Sequence, residues 1–417
     1  MKFEIKQLSQ IADVTKLAGF EFTKHIKYTD DGEIIAIRAL NLKNGSLTLN
    51  DIKRIEKSVS DTLTRSKLYK YDIVISYTGT IGECAQIMEN ETYHLAPNVA
   101  KIAPNSDMVY PVFLFQYIRS KEFKQQMLNY CHGSTQPTIP MKVIRELSIP
   151  IPPYSIQKQI ASVLSSIDKK IALNTAINEI IEQQAQAIFK SWFVDFEPFG
   201  GVMPDDWMVT TFDSICDFKN GYAFKSKELL NNPDSECYEV FKQGHILKGG
   251  GFNAFGTKSW FPKNKCEKLA KFVLKRNDIL MAMTDMKGNV AILGNTAILP
   301  EDNRYILNQR VGLLRPKTET GISPAYIYLL TNSDNFLFDL RSRANSGVQV
   351  NLSADAIRNS EVVLAPKDIC RKFSEIVDPL IEKTLDNQIE NQRLSALRDT
   401  LLPKLMNGEI DVSQVQV

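Results

Sequence analysis

The chain repeats itself, and that repeat limits what it can fold into more than any single motif does. Residues 133–140 read GSTQPTIP and residues 346–353 read SGVQVNLS. Laying Gln136 on Gln349 sets an offset of 349 − 136 = 213, and Ile144, Arg145 and Pro153 then fall on Ile357, Arg358 and Pro366. At the same offset Pro111 meets Pro324, Phe113 meets Tyr326 and Phe123 meets Phe336. Upstream, YDIVISYTGTIGECAQI (71–87) lies on NDILMAMTDMKGNVAIL (277–293) at 206. IRALNLKNG (37–45) lies on FKQGHILKG (241–249) at 204, and FEIKQLSQIAD (3–13) lies on WMVTTFDSICD (207–217). A collinear series with a slowly drifting offset is the mark of an internal duplication with loops of unequal length.

Each copy reads as α+β. DIVIS and DILMAM are short apolar runs bounded by turn residues, as buried strands are. TGTIGE and DMKGNV supply turns, with Gly82 and Gly288 as turn formers. Residues 111–130 carry apolar residues at helical spacing. SIPIPP and VVLAP are strands that stop at proline. After each copy the pattern changes to a heptad seam: Ile160, Leu164, Ile167, Ile171, Asn174, Asn178, Ile181, Ala185, Ile188 and Trp192. Its repeat at 213 runs Phe373, Val377, Leu380, Thr384, Asn387, Asn391, Leu394, Arg398, Leu401 and Leu405. This predicts two long helices pairing antiparallel, with Asn174 and Asn178 facing Asn387 and Asn391 and fixing the register. Pro379, after Asp378, reads as either a first-turn residue or a kink. The expected organisation is a first head (1–153), a first helical spacer (154–199), a second head (200–366) and a second spacer (367–417).

Composition narrows the function. With 417 residues, 43% hydrophobic and 24% charged, the chain has the make-up of a globular protein of two or more domains. There is no run of 18 apolar residues and no signal-peptide core at the start, so a cytoplasmic protein is expected. Six scattered cysteines without a CxxC predict free thiols, and four dispersed histidines offer no metal ligands. Net charge is +3 over 1–153, −1 over 154–199, +2 over 200–366 and −2 over 367–417. Within 242–276 nine Lys/Arg face one Glu, interleaved with Phe252, Phe255, Trp260, Phe261 and Phe272. Such a stretch is either a solvated basic face or a phosphate-contacting surface.

Catalytic motifs are missing: there is no GxxxxGK[ST], GxGxxG, HExxH or GxSxG. IPPY (151–154) has Ile151 where an adenine methyltransferase motif needs Asn or Asp. TDMKG (284–288), with Asp278, Asp285 and Lys287, is a turn before it is a nuclease cluster.

In this order, the quoted pieces resemble those of the DNA specificity subunit of Type I restriction–modification enzymes. TGTIG, GSTQPTIP and IPIPP resemble its target recognition domains. IQKQIASVLSSIDKKI and AIFKSWFVDF resemble its first spacer, and ALRDTLLPKLMNGEI its C-terminal spacer. The resemblance covers nearly the whole chain. It implies that each head reads one half of a split double-stranded DNA sequence in the major groove and that the helices set the gap. Two modification subunits carrying S-adenosylmethionine would dock on the helices. Restriction subunits would supply ATP- and Mg-dependent translocation and cleavage. This chain itself would bind no cofactor and no metal and catalyse nothing. Base reading favours polar loop residues: Arg38, Lys43, Thr78, Thr80, Ser134, Thr135 and Gln136 in the first head. In the second head the candidates are Lys242, His245, Lys248, Thr284, Lys287, Asn345, Ser346 and Gln349. Trp192 and Phe193 are either partner anchors or helix-pair core. A two-headed RNA- or protein-binding adaptor on a helical stalk is the alternative, and a single-chain restriction enzyme ranks below it.

Overall fold

The computed structural model describes residues 3–131, 137–233, 236–286, 290–346 and 349–413. The chain packs into two units, Met1–Lys170 with Leu394–Val417, and Ile171–Arg393. Each is α+β, and their main sheets match strand for strand. The first unit has a four-stranded antiparallel sheet in the order Ala12–Lys16, Val99–Pro104, Ile73–Ser76, Cys84–Gln86. The second repeats it as Cys216–Asn220, Val311–Pro316, Ile279–Ala282, Thr296–Ile298. Ile34–Ile37 pairs parallel with Tyr93–Leu95 and antiparallel with Lys53–Ile55. Cys237–Phe241 does the same with Tyr305–Leu307 and Trp260–Pro262. The first strand of each head closes on its last: Glu4 opposes Ile151, and Met208 opposes Leu364. The offsets, 208 − 4 = 204 and 364 − 151 = 213, are those of the sequence repeat.

The duplication extends to single hydrogen bonds. Arg145 donates to the Val14 carbonyl and Arg358 to that of Phe218. Asp72 accepts from the Tyr69 N–H at 2.8 Å, as Asp278 does from that of Lys275. One stretch is registered differently from the sequence alignment. The neighbour of Ile279–Ala282 is Thr296–Ile298, which stands 212 rather than 206 positions from its counterpart Cys84–Gln86. The second copy carries six extra residues between Thr284, which bridges Asn351 as Thr78 bridges Thr138, and Thr296. The predicted helix over 111–130 is two, Pro111–Ile118 and Lys121–Leu128, since the Ser120 hydroxyl accepts from the Phe123 N–H and starts a new helix.

Both long helices form, Tyr154–Phe193 and Lys367–Met406, 40 residues each, about 60 Å at the usual rise. The compact units cut across them, because each helix buries its two ends in different cores. Ile160, Ala161 and Leu164 join Leu402, Leu405 and Met406 in the first head's core. Phe189 and Phe193 join Phe373, Val377 and Ile381 in the second's. Within each unit the segments run antiparallel. Asn174 donates to Asn391 Oδ1 at 2.9 Å and to Glu390 at 2.7 Å, and Asn387 donates to Asn178 Oδ1 at 2.8 Å. In the first unit Asp168 accepts from Arg398 at 2.9 Å and from Arg119 at 2.6 Å, which ties the head to both helical segments. Pro379 lies inside the second helix. Asp378 accepts from the Ser323 hydroxyl at 2.6 Å instead of capping a helix start.

Two consequences are measurable. Leucine at both Asn178 and Asn387 replaces a polar seam pair by an apolar one. That change is expected to raise stability by about 1–2 kcal/mol while broadening the registers captured by engineered cysteine cross-links. Lower stability with a single register would contradict a register role. Glu182 on the first helix is half-buried beside Tyr328, and its partial desolvation raises its carboxyl pKa despite hydrogen bonds from Tyr328 and Gln186. A carboxyl raised in the folded state is best accommodated below its unfolded pKa, and the stability it allows falls as pH rises through the folded one. Glu182→Gln is therefore expected to raise the Tm at neutral pH, with the gap to the parent closing in acid.

Candidate nucleic-acid interface

In the first head an Asn-Gly hairpin presents Lys43. Leu42–Lys43 pairs with Ser46–Leu47 across Asn44 (φ 52°) and Gly45 (φ 81°), the signature of a tight primed turn. Glu83 holds this hairpin against the next turn. It accepts from the Asn44 N–H at 3.1 Å and from the Lys124 ammonium at 3.0 Å. That next turn carries Thr78 and exposed Thr80, folded over Gly79 and Gly82 at φ 77° and 82°. Gly79 donates to the Pro137 carbonyl at 2.9 Å and Thr78 bridges Thr138, which brings the end of GSTQPTIP to the same place. Ser134, Thr135 and Gln136 themselves lie outside the described residues. Arg38 is a weaker candidate than its charge suggests. Its guanidinium donates to the carboxylate and carbonyl of Asp51, both at 2.9 Å, and closes the hairpin loop.

The second head builds its face differently. Thr284–Met286 pairs with Gln349–Asn351, which pairs with Asn345–Ser346, so Thr284, Gln349 and Asn345 share one three-stranded ribbon; among the described residues of the first head its counterpart is the single bridge of Thr78 to Thr138. Ser346 lies in that ribbon's last strand; Lys287 and Gly288 are outside the described residues. The Gln243 side chain donates to the Thr284 carbonyl, which brings the segment after Lys242 onto the ribbon. Beyond it, Lys248 is exposed on a turn closed by the Leu247 N–H, which donates to the Gly251 carbonyl at 2.9 Å, and by the Gly250 N–H, which donates to the Leu247 carbonyl at 3.1 Å. Gly250 (φ 104°) is required there, since a Cβ would stand 2.6 Å from the Asn332 side chain.

His245 is not a base reader. It is fully buried, its Nδ1 accepts the Lys242 N–H at 3.0 Å and its Nε2 faces Glu239 at 3.2 Å. Asn41 caps the same turn in the first head, where its Oδ1 accepts the Arg38 N–H at 3.1 Å. The repeat at 204 already aligned His245 with this buried asparagine. Burial alone would raise the Glu239 carboxyl, but the His245 hydrogen bond and the charges of Lys258 and Arg304 hold it below the usual range.

The remaining chemistry is structural. Arg315 grips Asp278 through two bonds at 2.7 and 2.8 Å, and Asp285 accepts the Ile292 and Leu293 N–H groups; neither carboxylate is free for a metal. Among the described residues no group of His, Cys, Asp and Glu has metal-site geometry, and no helix is long and apolar enough to cross a membrane. Burial pushes the Cys84 thiol to about 12 and that of Cys370 to about 11, so both stay protonated. Phe193 is buried and Trp192 packs on the same core, ring to ring with Phe373 at 5.8 Å; both belong to the helix–head core.

Two like heads, each with polar loops gathered on repeated sheets and each packed on antiparallel helix segments, define a two-headed reader. The family model for the Type I restriction modification DNA specificity domain matches residues 1–183 and again 204–397. The chain belongs to that family. It is 27% identical over 379 residues to the Type I restriction enzyme HindI specificity subunit of Haemophilus influenzae, covering 77% of this chain and 82% of that protein. It is 27% identical over 329 residues to the MjaIX specificity subunit of Methanocaldococcus jannaschii, covering 74% and 71%. The crystal structure of the Type I restriction-modification S subunit from M. genitalium superposes with a TM-score of 0.58 at 17% identity, over 97% of this chain and 96% of that one, and shares the fold.

Proposed function

We propose that this chain is the DNA-recognising subunit of a Type I restriction–modification complex, each head reading one half of a bipartite, asymmetric duplex site. The observation that carries this reading is the pairing of a conserved scaffold with unlike faces. The four-stranded sheets repeat strand for strand, while the loops that gather polar and basic side chains differ among the described residues: the Asn-Gly hairpin of one head is matched by a glycine turn in the other, and the single Thr78–Thr138 bridge by a three-stranded ribbon. Scaffold identity with face divergence suits two different half-sites. Lys43, Thr78 and Thr80 are the first head's candidate contacts, joined by the segment holding Ser134, Thr135 and Gln136. Lys242, Lys248, Thr284, Asn345, Ser346 and Gln349 are the second's, with Lys287 next to Thr284–Met286 in sequence.

Catalysis belongs to partners in this reading. Modification subunits docked on the helices bring S-adenosylmethionine, and restriction subunits bring ATP and Mg. Methylome sequencing of cells with and without this chain tests the proposal. A split adenine-methylated motif should disappear on deletion; an unchanged methylome with the partner subunits expressed would refute it.

A further inference from the structure

Of the exposed phenylalanines of the second head, Phe338 and Phe255, Phe255 is the one carried on a loop bonded to the turn beside the candidate face. Its ring is 71% exposed, which costs solvation, yet the loop that carries it is held from several sides. Three residues earlier Phe252 is buried in the head's core, stacked on Phe241 at 6.2 Å and edge-on to Tyr305 at 5.9 Å. Asn253 donates from its backbone to the His245 carbonyl and from its side chain to that of Gly244, both at 2.8 Å. Its Oδ1 accepts the Phe255 N–H at 3.0 Å. Gly256 lies so close to the His245 ring that a Cβ would stand 2.8 Å from it. The buried His245–Glu239 pair is thus the post on which the loop sits. Gly244 adjoins Gln243, which bonds Thr284, so the Phe255 loop and the ribbon form one surface. Exposed Lys248 and Lys258 flank it. The matching loop of the first head, 38–53, holds no aromatic residue.

We propose that Phe255 reads a thymine in the second half-site through the base's C5-methyl group. This rests on the DNA-reading function above and adds a residue and a base class to it. A phenyl ring has no donor or acceptor, so on a duplex it can contact the methyl edge of thymine in the major groove or enter an opened base step. Opening a step carries an unstacking cost of a few kcal/mol, whereas the methyl edge is already exposed in the groove. The lysines on either side supply the phosphate contacts that would hold the loop there. The second head therefore gains a hydrophobic discriminator on a loop whose counterpart in the first head holds no aromatic residue.

The test uses the complex of this chain with its methyltransferase subunits and duplexes carrying the motif it methylates. Each thymine of the second half-site is replaced in turn by deoxyuridine, which lacks only the methyl. One replacement should weaken the parent about fourfold, the value of one buried methyl group. Phe255→Ala should weaken binding to the thymine duplex about tenfold and show no further loss with deoxyuridine. Phe255→Leu should keep most of the methyl sensitivity, and both variants should unfold at the parental urea concentration. Three results overturn the inference alone: Phe255→Ala retaining the deoxyuridine penalty, no thymine of that half-site being methyl-sensitive, or the variant losing its methyltransferase subunit instead. A parent complex that does not prefer its own motif to scrambled duplex would remove the DNA-reading function as well, and so separates the two failures.

Discussion

Phe373→Ala is expected to lower the stability of the unit formed by Ile171–Arg393 by about 4 kcal/mol, in the range for deleting a fully buried aromatic ring. Phe373 is completely buried. Its ring meets Phe193 at 4.9 Å, Trp192 at 5.8 Å, Tyr326 at 5.9 Å and Phe189 at 6.1 Å. These rings come from both long helices and from the head itself. The cavity would therefore open where helix and head are joined, and close-packed neighbours on three elements cannot all move in to fill it. Urea denaturation read by tryptophan fluorescence checks this, because Trp192 and Trp207 lie in the same core. A loss below about 1 kcal/mol would mean that this cluster does not join helix to head. Phe373→Leu should recover much of the loss.

The largest functional effect is expected from the second head's lysines. Alanine at Lys242, Lys248 and Lys258 together should weaken duplex binding about tenfold per residue if each makes one charge-assisted phosphate contact. It should also lower the slope of log K against log salt by about 3, nearly one counterion per contact. The loss should be the same on the cognate motif and on scrambled duplex, since phosphate contacts carry no sequence information. Titration at 50–300 mM salt reads both quantities. An unchanged slope would show that these lysines form a solvated face, the other reading that their clustering allows.

Much of the fold can be read in the sequence because a duplication writes each constraint twice. Arg145 and Arg358, or Asp72 and Asp278, were visible as a repeat before their bonds were. The two helices were legible from a 4-3 alternation that recurs with its asparagines in place. What escaped was local. His245 resembled a base reader by residue type, yet its post is that of buried Asn41, and type alone does not report burial. The six-residue insertion ahead of Thr296 was hidden because AQI and AIL look alike when aligned without a gap; only strand pairing distinguishes them. Pro379 mimicked a helix start, but the tertiary bond from Ser323 to Asp378 and packing on both sides carry the helix through it. Of the candidate contacts, the fold gathers Lys43, Thr78 and Thr80 in one head and Lys242, Thr284, Asn345 and Gln349 in the other. The loop geometry that would say which base each one meets is not written in residue types.

The central claim is that the two heads read separate halves of one site. It is tested most directly by exchanging the second head, residues 204–366, for the corresponding segment of the Haemophilus influenzae relative and mapping the methylated motif in cells. The account predicts a motif in which one half is unchanged and the other is new. A motif altered in both halves, or unaltered in both, would contradict it.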